Sequence, residues 1–255
     1  MSLPLEVLDH IFSFLQSDPV TLKACMECHP MLSQLAELHL YAHITLYDND
    51  SVDEKGLGTT EFSKLLSDKS YIVNFVHTLE IILHKKHKKG FMDKISTILQ
   101  SLLRLEEITL AQRCACRQRA WAYLPKKFHR VFMDCLHLPS MKELCIRNFD
   151  FPLSSLNGCN TIENLTLCGW VQDKTDSLNN IHCLALHSLT IQNCDASSVR
   201  ALMPWMQIRS LRSLAYKPCY NNFNLRLFSE LIGSCSNSLT SLYIDFGYRC
   251  TFHLP

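Results

Sequence analysis

The sequence predicts an α/β chain in two unequal parts, a short helical module at residues 1–46 and a longer repeat region at residues 47–255. Two observations lead to this prediction. Three stretches with helical apolar spacing lie in the first 46 residues, where proline-containing breaks separate them. The rest of the chain repeats one apolar pattern every 21–36 residues, an interval typical of arrays in which each repeat is one supersecondary unit.

The first predicted helix lies in LPLEVLDHIFSFLQ, residues 3–16. It is apolar around about half of its circumference, whereas a helix packed on one core needs a stripe only about 100° wide. Its apolar residues form two adjoining flanks, with Leu5, Leu8, Phe12 and Leu15 on the first and Val7, Ile11 and Phe14 on the second. The second flank either meets a partner or is enclosed within the domain to which the helix belongs.

Two further helices are expected in the module. Asp18 is placed to cap the second helix and Pro19 suits its first position. The second helix should end before Pro30, because a residue that precedes proline is disfavoured in the helical conformation. MLSQLAELHL then supplies a third helix, and the chain becomes extended at YAHITL. A core of three short helices is small, so we expect the module to be supported by the repeat region or by a partner.

This stretch resembles an F-box of the form common in large fungal families of F-box proteins. The resemblance lies in Leu3-Pro4, Glu6-Val7, the Ile11-Phe12 pair, Leu15, the SDP turn, TLKAC, and the terminal HLY and ITL. It implies a three-helix module that docks onto the Skp-type adaptor of a cullin–RING ubiquitin ligase. The residues that it assigns to adaptor binding are Leu3, Pro4, Leu5, Val7, Leu8, Ile11, Phe12, Leu15 and Leu22.

The repeat region carries a hexad of the form apolar-x-x-apolar-x-apolar. It occurs as VHTLEI (76–81), LEEITL (105–110), MKELCI (141–146), IENLTL (162–167), LHSLTI (186–191), LRSLAY (211–216) and LTSLYI (239–244), and YAHITL (41–46) also fits. We call its second apolar residue the marker. The markers are Ile44, Leu79, Ile108, Leu144, Leu165, Leu189, Leu214 and Leu242. Their two longest spacings, 35 and 36 residues, leave room for a full helix.

Segments between the hexads have helical character. They are FMDKISTILQSLLRL, QRAWAYLPKKFHRVFMDCLHL, DASSVRALMPWM with Asp195 as a cap, and NFNLRLFSELIGS with Gly233 as a stop. Strand followed by helix, repeated, predicts a solenoid with a curved parallel sheet on its concave side and helices outside. The alternative is an ordinary α/β domain whose strands only share a hexad.

The hexads resemble irregular leucine-rich repeats. Three residues beyond the last apolar position, that family has Asn or Cys, and here Cys194 and Cys219 match it. Phe149, Trp170 and Gly247 stand at three of the other such positions. Residues that alternate with the buried ones along each strand are expected to face a target. The candidate target-binding residues are Arg147, Thr166, Trp170, Thr190, Gln192, Lys217, Tyr243 and Asp245.

The net charge of +1 conceals an uneven distribution. Residues 1–83 carry 4 basic and 12 acidic residues, whereas residues 84–130 carry 12 basic and 3 acidic ones. The basic segment 84–130 is either a solvated surface or a site for an acidic target, a phosphorylated segment or nucleic acid. Sparse aromatic residues argue against a dedicated single-strand binder. The segment begins with HKKHKK (84–89), and its later cationic residues include Arg113, Arg117, Arg119, Lys126, Lys127 and Arg130.

The sequence indicates no catalytic or cofactor motif. It contains no nucleophile elbow, phosphate loop, HExxH or GxGxxG pattern, and it has only 7 glycines. Two cysteine groups lack a strong zinc pattern: Cys25 and Cys28 with His29, and Cys114 and Cys116 with Cys135 and His137. We therefore predict neither an enzyme nor a metal or cofactor site.

Neither a secretory leader nor an apolar run long enough for a membrane span is evident, and 13 cysteines without a disulfide framework favour an intracellular protein of the cytoplasm or nucleus.

The two resemblances together imply a substrate receptor of a ubiquitin ligase that binds a Skp-type adaptor, a cullin scaffold and a protein target. An interaction scaffold whose helices only cap the repeats is the first alternative, favoured by CHPML at residues 28–32, where many F-boxes carry a basic residue and tryptophan. A nucleic-acid binder based on residues 84–130 is the second.

Overall fold

A computed structural model describes residues 3–16, 18–47, 57–84, 90–113, 119–169, 186–206, 210–218 and 225–245. The helices in these ranges are α1 (Leu5–Ser13), α2 (Pro19–Cys28), α3 (Pro30–Ala42), α4 (Thr59–Asp68), α5 (Phe91–Ser101), α6 (Lys126–Leu136), α7 (Ala196–Met206) and α8 (Leu225–Cys235). The strands are β1 (His43–Tyr47), β2 (Leu57–Gly58), β3 (Thr78–Leu83), β4 (Glu107–Gln112), β5 (Arg119–Ala120), β6 (Glu143–Arg147), β7 (Phe149–Asp150), β8 (Asn164–Cys168), β9 (Ser188–Gln192), β10 (Ser213–Lys217) and β11 (Ser241–Ile244).

Most of the strands form one parallel sheet. Its order is β11-β10-β9-β8-β6-β4-β3-β1-β2, so that from β1 to β11 each strand lies beside the next hexad strand in the chain. The short strands β5 and β7 pair separately, also in parallel. Parallel neighbours need a crossover, and helices lie in several of these connections. The predicted α/β class with a parallel sheet is confirmed.

The markers align as one row across the sheet. Ile44 pairs with Leu79, Leu79 with Ile108, and the pairing continues strand by strand to Leu242. All the markers are buried except Leu242, which lies on the edge strand β11. Every hexad therefore has the same register in its strand. For this reason the recurring hexad in the sequence predicts the strands.

A large apolar core lies between this face of the sheet and the helices. It contains the markers up to Leu214 together with buried residues such as Ile95 of α5, Phe128 of α6 and Leu231 of α8. The helices follow the strand order, because α4 contacts α5, α5 contacts α6, and α7 contacts α8. A second, much smaller core of Phe12, Leu22 and Ala36 holds α1, α2 and α3 together.

The local signals in the helical module behave largely as predicted. The Asp18 carboxylate accepts hydrogen bonds from the Thr21 amide at 3.1 Å and from its hydroxyl at 2.5 Å, and Pro19 opens α2. His29 is extended and separates α2 from α3. The predicted extended stretch YAHITL is wrong at its first two residues, because α3 continues to Ala42. Ala42 is buried and Tyr41 packs on the large core, so tertiary packing prolongs the helix.

Two predictions in the repeat region need correction. Gly233 does not end α8, which continues to Cys235 because Leu231 and Cys235 are both buried against the core. The stretch before Pro125 is not α-helical: it forms β5 and a short 3-10 helix at Trp121–Tyr123, and α6 begins only after the proline. The expected cap of α7 is confirmed, since the Ser198 amide donates to the Asp195 carboxylate at 2.7 Å.

Three hexad strands end in a left-handed residue. Asn148, Gly169 and Asn193 have φ angles of 55°, 58° and 53°. Each amide donates to the carbonyl of the last residue of the neighbouring strand.

Cys194 follows the third of these residues, is buried, and donates its thiol to the Leu167 and Gln192 carbonyls. Cys219 lies outside the described residues, so this role is observed for Cys194.

Gly169 should resist substitution more than Gly233. A Cβ at Gly169 would clash with the Asn148 Oδ1 atom, on a backbone with positive φ. We expect Gly169→Ala to lower the free energy of unfolding by at least about 1–2 kcal/mol, measured by urea denaturation. Gly233→Ala is the matched control: it meets open space within a helix, and alanine there is favourable by up to about 1 kcal/mol. Equal effects of the two substitutions would contradict this account of the strand end.

Candidate protein-interaction surfaces

The second flank of α1 is exposed. The side chains of Val7, Ile11 and Phe14 are 42%, 43% and 72% exposed, whereas Phe12 on the first flank is buried in the small core. Leu15 packs against the same core. The helix is therefore not enclosed within its own domain, and its outward flank is an apolar surface. We call Val7, Ile11 and Phe14 the outer flank.

The nine residues assigned to adaptor binding occupy three kinds of position. Leu3, Pro4, Leu5, Val7 and Ile11 are exposed, Leu8 and Leu15 are half-buried, and Phe12 and Leu22 lie in the small core. Sequence reasoning did not include three further exposed apolar residues of the module: Phe14, Val20 and Met31. The helical wheel had already placed Phe14 on the outer flank, but nothing in the sequence marks Val20 or Met31.

A buried histidine fixes α1 on α3. His39 Nε2 lies 2.9 Å from the Asp9 carboxylate, and the Gln16 amide nitrogen lies 3.0 Å from His39 Nδ1. A neutral ring satisfies both contacts if Nε2–H donates to Asp9 and Nδ1 accepts from Gln16. The ring also stacks on Phe12, with 6.2 Å between centroids. These contacts set the rotation of α1, and therefore determine that the outer flank faces away from the core.

A second buried polar group joins the module to the repeat region. Glu37 of α3 is 7% exposed. Its carboxylate accepts hydrogen bonds from Lys69 Nζ at 2.5 Å and from the Tyr71 hydroxyl at 2.8 Å. The hydrogen bond to Glu37 raises the pKa of Lys69 and, separately, the pKa of Tyr71. Since α3 also runs directly into β1, the helical module is anchored to the sheet through both the backbone and this cluster.

Replacing Glu37 should weaken this junction in a pH-dependent way. We expect Glu37→Gln to lower the free energy of unfolding at neutral pH by about 1–3 kcal/mol, as for hydrogen bonds to a charged group. The ordinary pKa values are 10.5 for Lys69 and 10.0 for Tyr71, and both are raised in the folded protein. A raised pKa stabilises the folded state only while the group is protonated. The difference in unfolding free energy between the variant and the wild type should therefore shrink above pH about 10. Urea denaturation across pH 7–11 measures both effects.

Glu106→Gln is the control for this substitution. Glu106 lies 2.7 Å from Lys142 and 3.2 Å from His77, but its ion pairs are exposed. Exposed pairs contribute about 0–1 kcal/mol. If Glu37→Gln costs no more than Glu106→Gln, the buried cluster does not stabilise the junction.

The candidate target-binding residues lie on the face of the sheet opposite the markers, which we call the open face. Thr166 and Thr190 are register partners in its middle row, and Ala215 and Tyr243 continue that row. Arg147, Cys168, Gln192 and Lys217 form the next row, with Asp245 just beyond β11. Trp170 lies outside the described residues. The register therefore brings together seven of the eight candidates.

Ion pairs occupy both ends of this face. Arg147 Nη1 lies 3.1 Å from the Glu80 carboxylate, and this pair spans β4 from β6 to β3. Thr109 and Ala111 on the spanned strand are buried. At the other end Lys217 Nζ lies 3.2 Å from the Asp245 carboxylate and 5.6 Å from the centre of the Tyr243 ring. Arg147 and Lys217 thus already have partners within the chain.

The basic segment is only partly described. Lys126, Lys127 and Arg130 are exposed on α6, in the helical layer, and Arg113 is exposed just after β4. Residues 85–89 and Arg117 lie outside the described residues, and Arg119 forms part of β5. Lys126, Lys127 and Arg130 therefore lie in the helical layer and not on the open face with Thr166 and Thr190.

Two buried thiols, Cys135 and Cys159, lie in environments that disfavour the thiolate. Burial raises the pKa of Cys135 to about 12 and that of Cys159 to about 11, so both thiols are protonated near neutral pH. His137 Nε2 lies 3.8 Å from Cys159 Sγ, whereas Cys114 and Cys116 lie outside the described residues. Within the described ranges, no three His, Cys, Asp or Glu residues are arranged to hold a metal ion.

No model of a known protein family matches the chain, and no curated protein sequence matches it significantly. Across the part of the chain that the structure describes, no helix has both the length and the apolar content needed to cross a bilayer.

Proposed function

We propose that the protein is the substrate receptor of a cullin–RING ubiquitin ligase, with residues 1–46 as an F-box and the repeat region as an irregular leucine-rich-repeat solenoid. The observation that carries this proposal is the outer flank of α1. An amphipathic helix that leaves Val7, Ile11 and Phe14 uncovered has the apolar stripe with which a helix docks onto a partner. The Skp-type adaptor is that partner.

The repeat architecture supports the same proposal. The markers place each hexad at one height, as expected for a stack of equivalent units. The buried Cys194 thiol donates to strand carbonyls at the position where the repeat family has Asn or Cys. A stack of this kind presents a continuous face to a protein target.

The mechanism that we propose requires no reactive side chain in this chain. A receptor that holds the adaptor at one site and the target at another makes ubiquitin transfer effectively intramolecular, since it raises the local concentration of target near the charged ubiquitin carrier. The polar contacts of Glu37 and His39 contribute by holding the two binding surfaces in one orientation. Such a receptor acts in the cytoplasm or the nucleus.

An interaction scaffold without a ligase is the second candidate. It is favoured by the α2–α3 junction, where the chain reads CHPML at residues 28–32 and many F-boxes carry a basic residue and tryptophan. There the His29 ring accepts a hydrogen bond from the Met31 amide at 3.2 Å and so caps α3. In that case the outer flank would bind a partner other than the adaptor.

Charges on the outer flank should abolish adaptor binding without unfolding the protein. We expect Val7→Asp/Ile11→Asp to weaken binding of a purified Skp-type adaptor by at least about thirtyfold, because each apolar anchor of an interface contributes about 2 kcal/mol. Isothermal titration calorimetry of the intact protein with the purified adaptor measures the affinity. The melting temperature should stay within a few degrees, since both side chains are exposed.

Leu103→Asp/Tyr123→Asp is the matched control, because these two apolar residues are exposed in the repeat region, away from α1. Adaptor binding by the wild type and by this control, with loss in the α1 variant, supports the receptor. A folded wild-type protein that does not bind the adaptor favours the scaffold.

A further inference from the structure

One half of the open face carries polar groups without partners. Within the described residues, no side-chain hydrogen bond is made by the half-exposed residues Asn164, Thr166, Ser188, Thr190, Gln192 and Ser213. In the other half, Thr45 donates to Glu80, Thr78 donates to Glu107, and Arg147 donates to Glu80. Strands β8, β9 and β10 therefore present donors and acceptors that the described part of the chain does not use.

Two carboxylates lie at the border of this half, and neither is paired with a cation among the described residues. Glu107 and Glu143 are register partners on β4 and β6, in the same row as Asn164 and Ser188. Cα atoms of adjacent strands are about 4.8 Å apart. Burial and the charge of Glu107 together raise the pKa of Glu143.

The other acidic residues around the open face are compensated. Glu80, Asp245, Glu106 and Glu163 each have a basic group or a histidine within 4.0 Å. Among the described residues, neither Glu107 nor Glu143 has one. The uncompensated charge of the face is therefore negative, and it is located on β4 and β6.

The middle row of the face is shallow. From β8 to β10 it consists of the half-exposed residues Thr166, Thr190 and Ala215, all with short side chains, and it ends at the exposed ring of Tyr243 on β11. Cys145 of β6 lies in the same row but is buried. Short side chains let another main chain come close to the sheet, and the free hydroxyl and amide groups on either side can bond to its peptide groups. The surface fits an extended segment that crosses the strands.

We propose that the open face binds an extended protein segment that carries a lysine or arginine over Glu107 and Glu143 and crosses β8, β9 and β10 toward Tyr243. Four strand spacings separate β6 from β11, about 19 Å, which an extended chain rising about 3.3 Å per residue covers in about six residues. An apolar or aromatic residue about six positions from the cation therefore reaches Tyr243. The inference rests on the proposed function in one respect, because it takes the bound segment to belong to the target of the receptor.

Selection from a random twelve-residue peptide library displayed on phage, against the full-length protein, tests this inference. We expect the enriched peptides to share one Lys or Arg position and an apolar residue about six positions away. Glu107→Gln/Glu143→Gln should bind a synthetic enriched peptide at least about tenfold more weakly, as for the loss of a charged interface pair. It should remain folded, because the substitution removes two like charges from adjacent strands.

Glu61→Gln/Asp68→Asn is the matched control, since it removes two exposed carboxylates from α4 and should leave peptide affinity unchanged. Replacing the cation of the peptide by Gln should lower affinity for the wild type and for this control, but not for the Glu107/Glu143 variant. Failure to enrich any peptide, enrichment without a cation, or equal affinity for the two variants would overturn the inference.

Adaptor binding, measured on the same Glu107/Glu143 variant, separates this inference from the proposed function. The adaptor surface lies on α1 and the peptide surface on the sheet. A variant that binds the adaptor but not the peptide supports both proposals. Peptide selection by a wild-type protein that does not bind the adaptor supports the peptide site and removes the ligase.

Discussion

The alignment of the markers in one row is the constraint on which the rest of the structure depends. Because side chains alternate along a strand, a slip of one residue in any strand would turn its apolar residues onto the open face and its polar residues into the core. The row runs without interruption from Ile44 to Leu242. Both faces of the sheet are consequences of this register, one apolar under the helices and the other available for recognition.

The helical module inherits its position from the same register. Helix α3 runs into β1 without a connecting loop, so the first strand fixes where the last helix of the module points. Glu37 then ties that helix to Lys69 and Tyr71, and His39 ties α1 to α3. Buried polar groups that are fully hydrogen-bonded specify one arrangement more strictly than apolar packing does. The small core of Phe12, Leu22 and Ala36 does not have to fix the orientation alone.

The parts of the structure that follow from local pattern could be predicted, and those that depend on distant contacts could not. The hexads gave all eight strands of the marker row, and Asp18, Pro19 and Asp195 marked helix starts correctly. Gly233 was misleading because a glycine can be accommodated in a helix whose flanking residues Leu231 and Cys235 are buried against the core. Glu37 and His39 have no sequence signal, because their partners are about 30 residues away in the chain.

In the candidate sites, too, local pattern predicted some features, whereas contacts between distant residues decided the others. The helical wheel identified two flanks on α1, but the sequence did not show which one would be covered, since that choice depends on Asp9 and Gln16 reaching His39. On the sheet, alternation placed Thr166, Thr190 and Gln192 on the open face. It did not reveal that Arg147 is engaged by Glu80 across an intervening strand, because that pairing requires the order of three strands.

The pairing of Arg147 with Glu80 also explains why negative charge is left over on this face. Glu107 and Glu143 stand opposite each other on adjacent strands, an arrangement that destabilises a sheet, and the one cation of β6 is turned toward β3. On the binding mode proposed above, a cation from the bound segment lies between the two carboxylates and offsets this repulsion. A protein face that is incompletely neutralised attracts basic segments and repels acidic ones, and repulsion of the wrong partner contributes to selectivity as much as attraction of the right one.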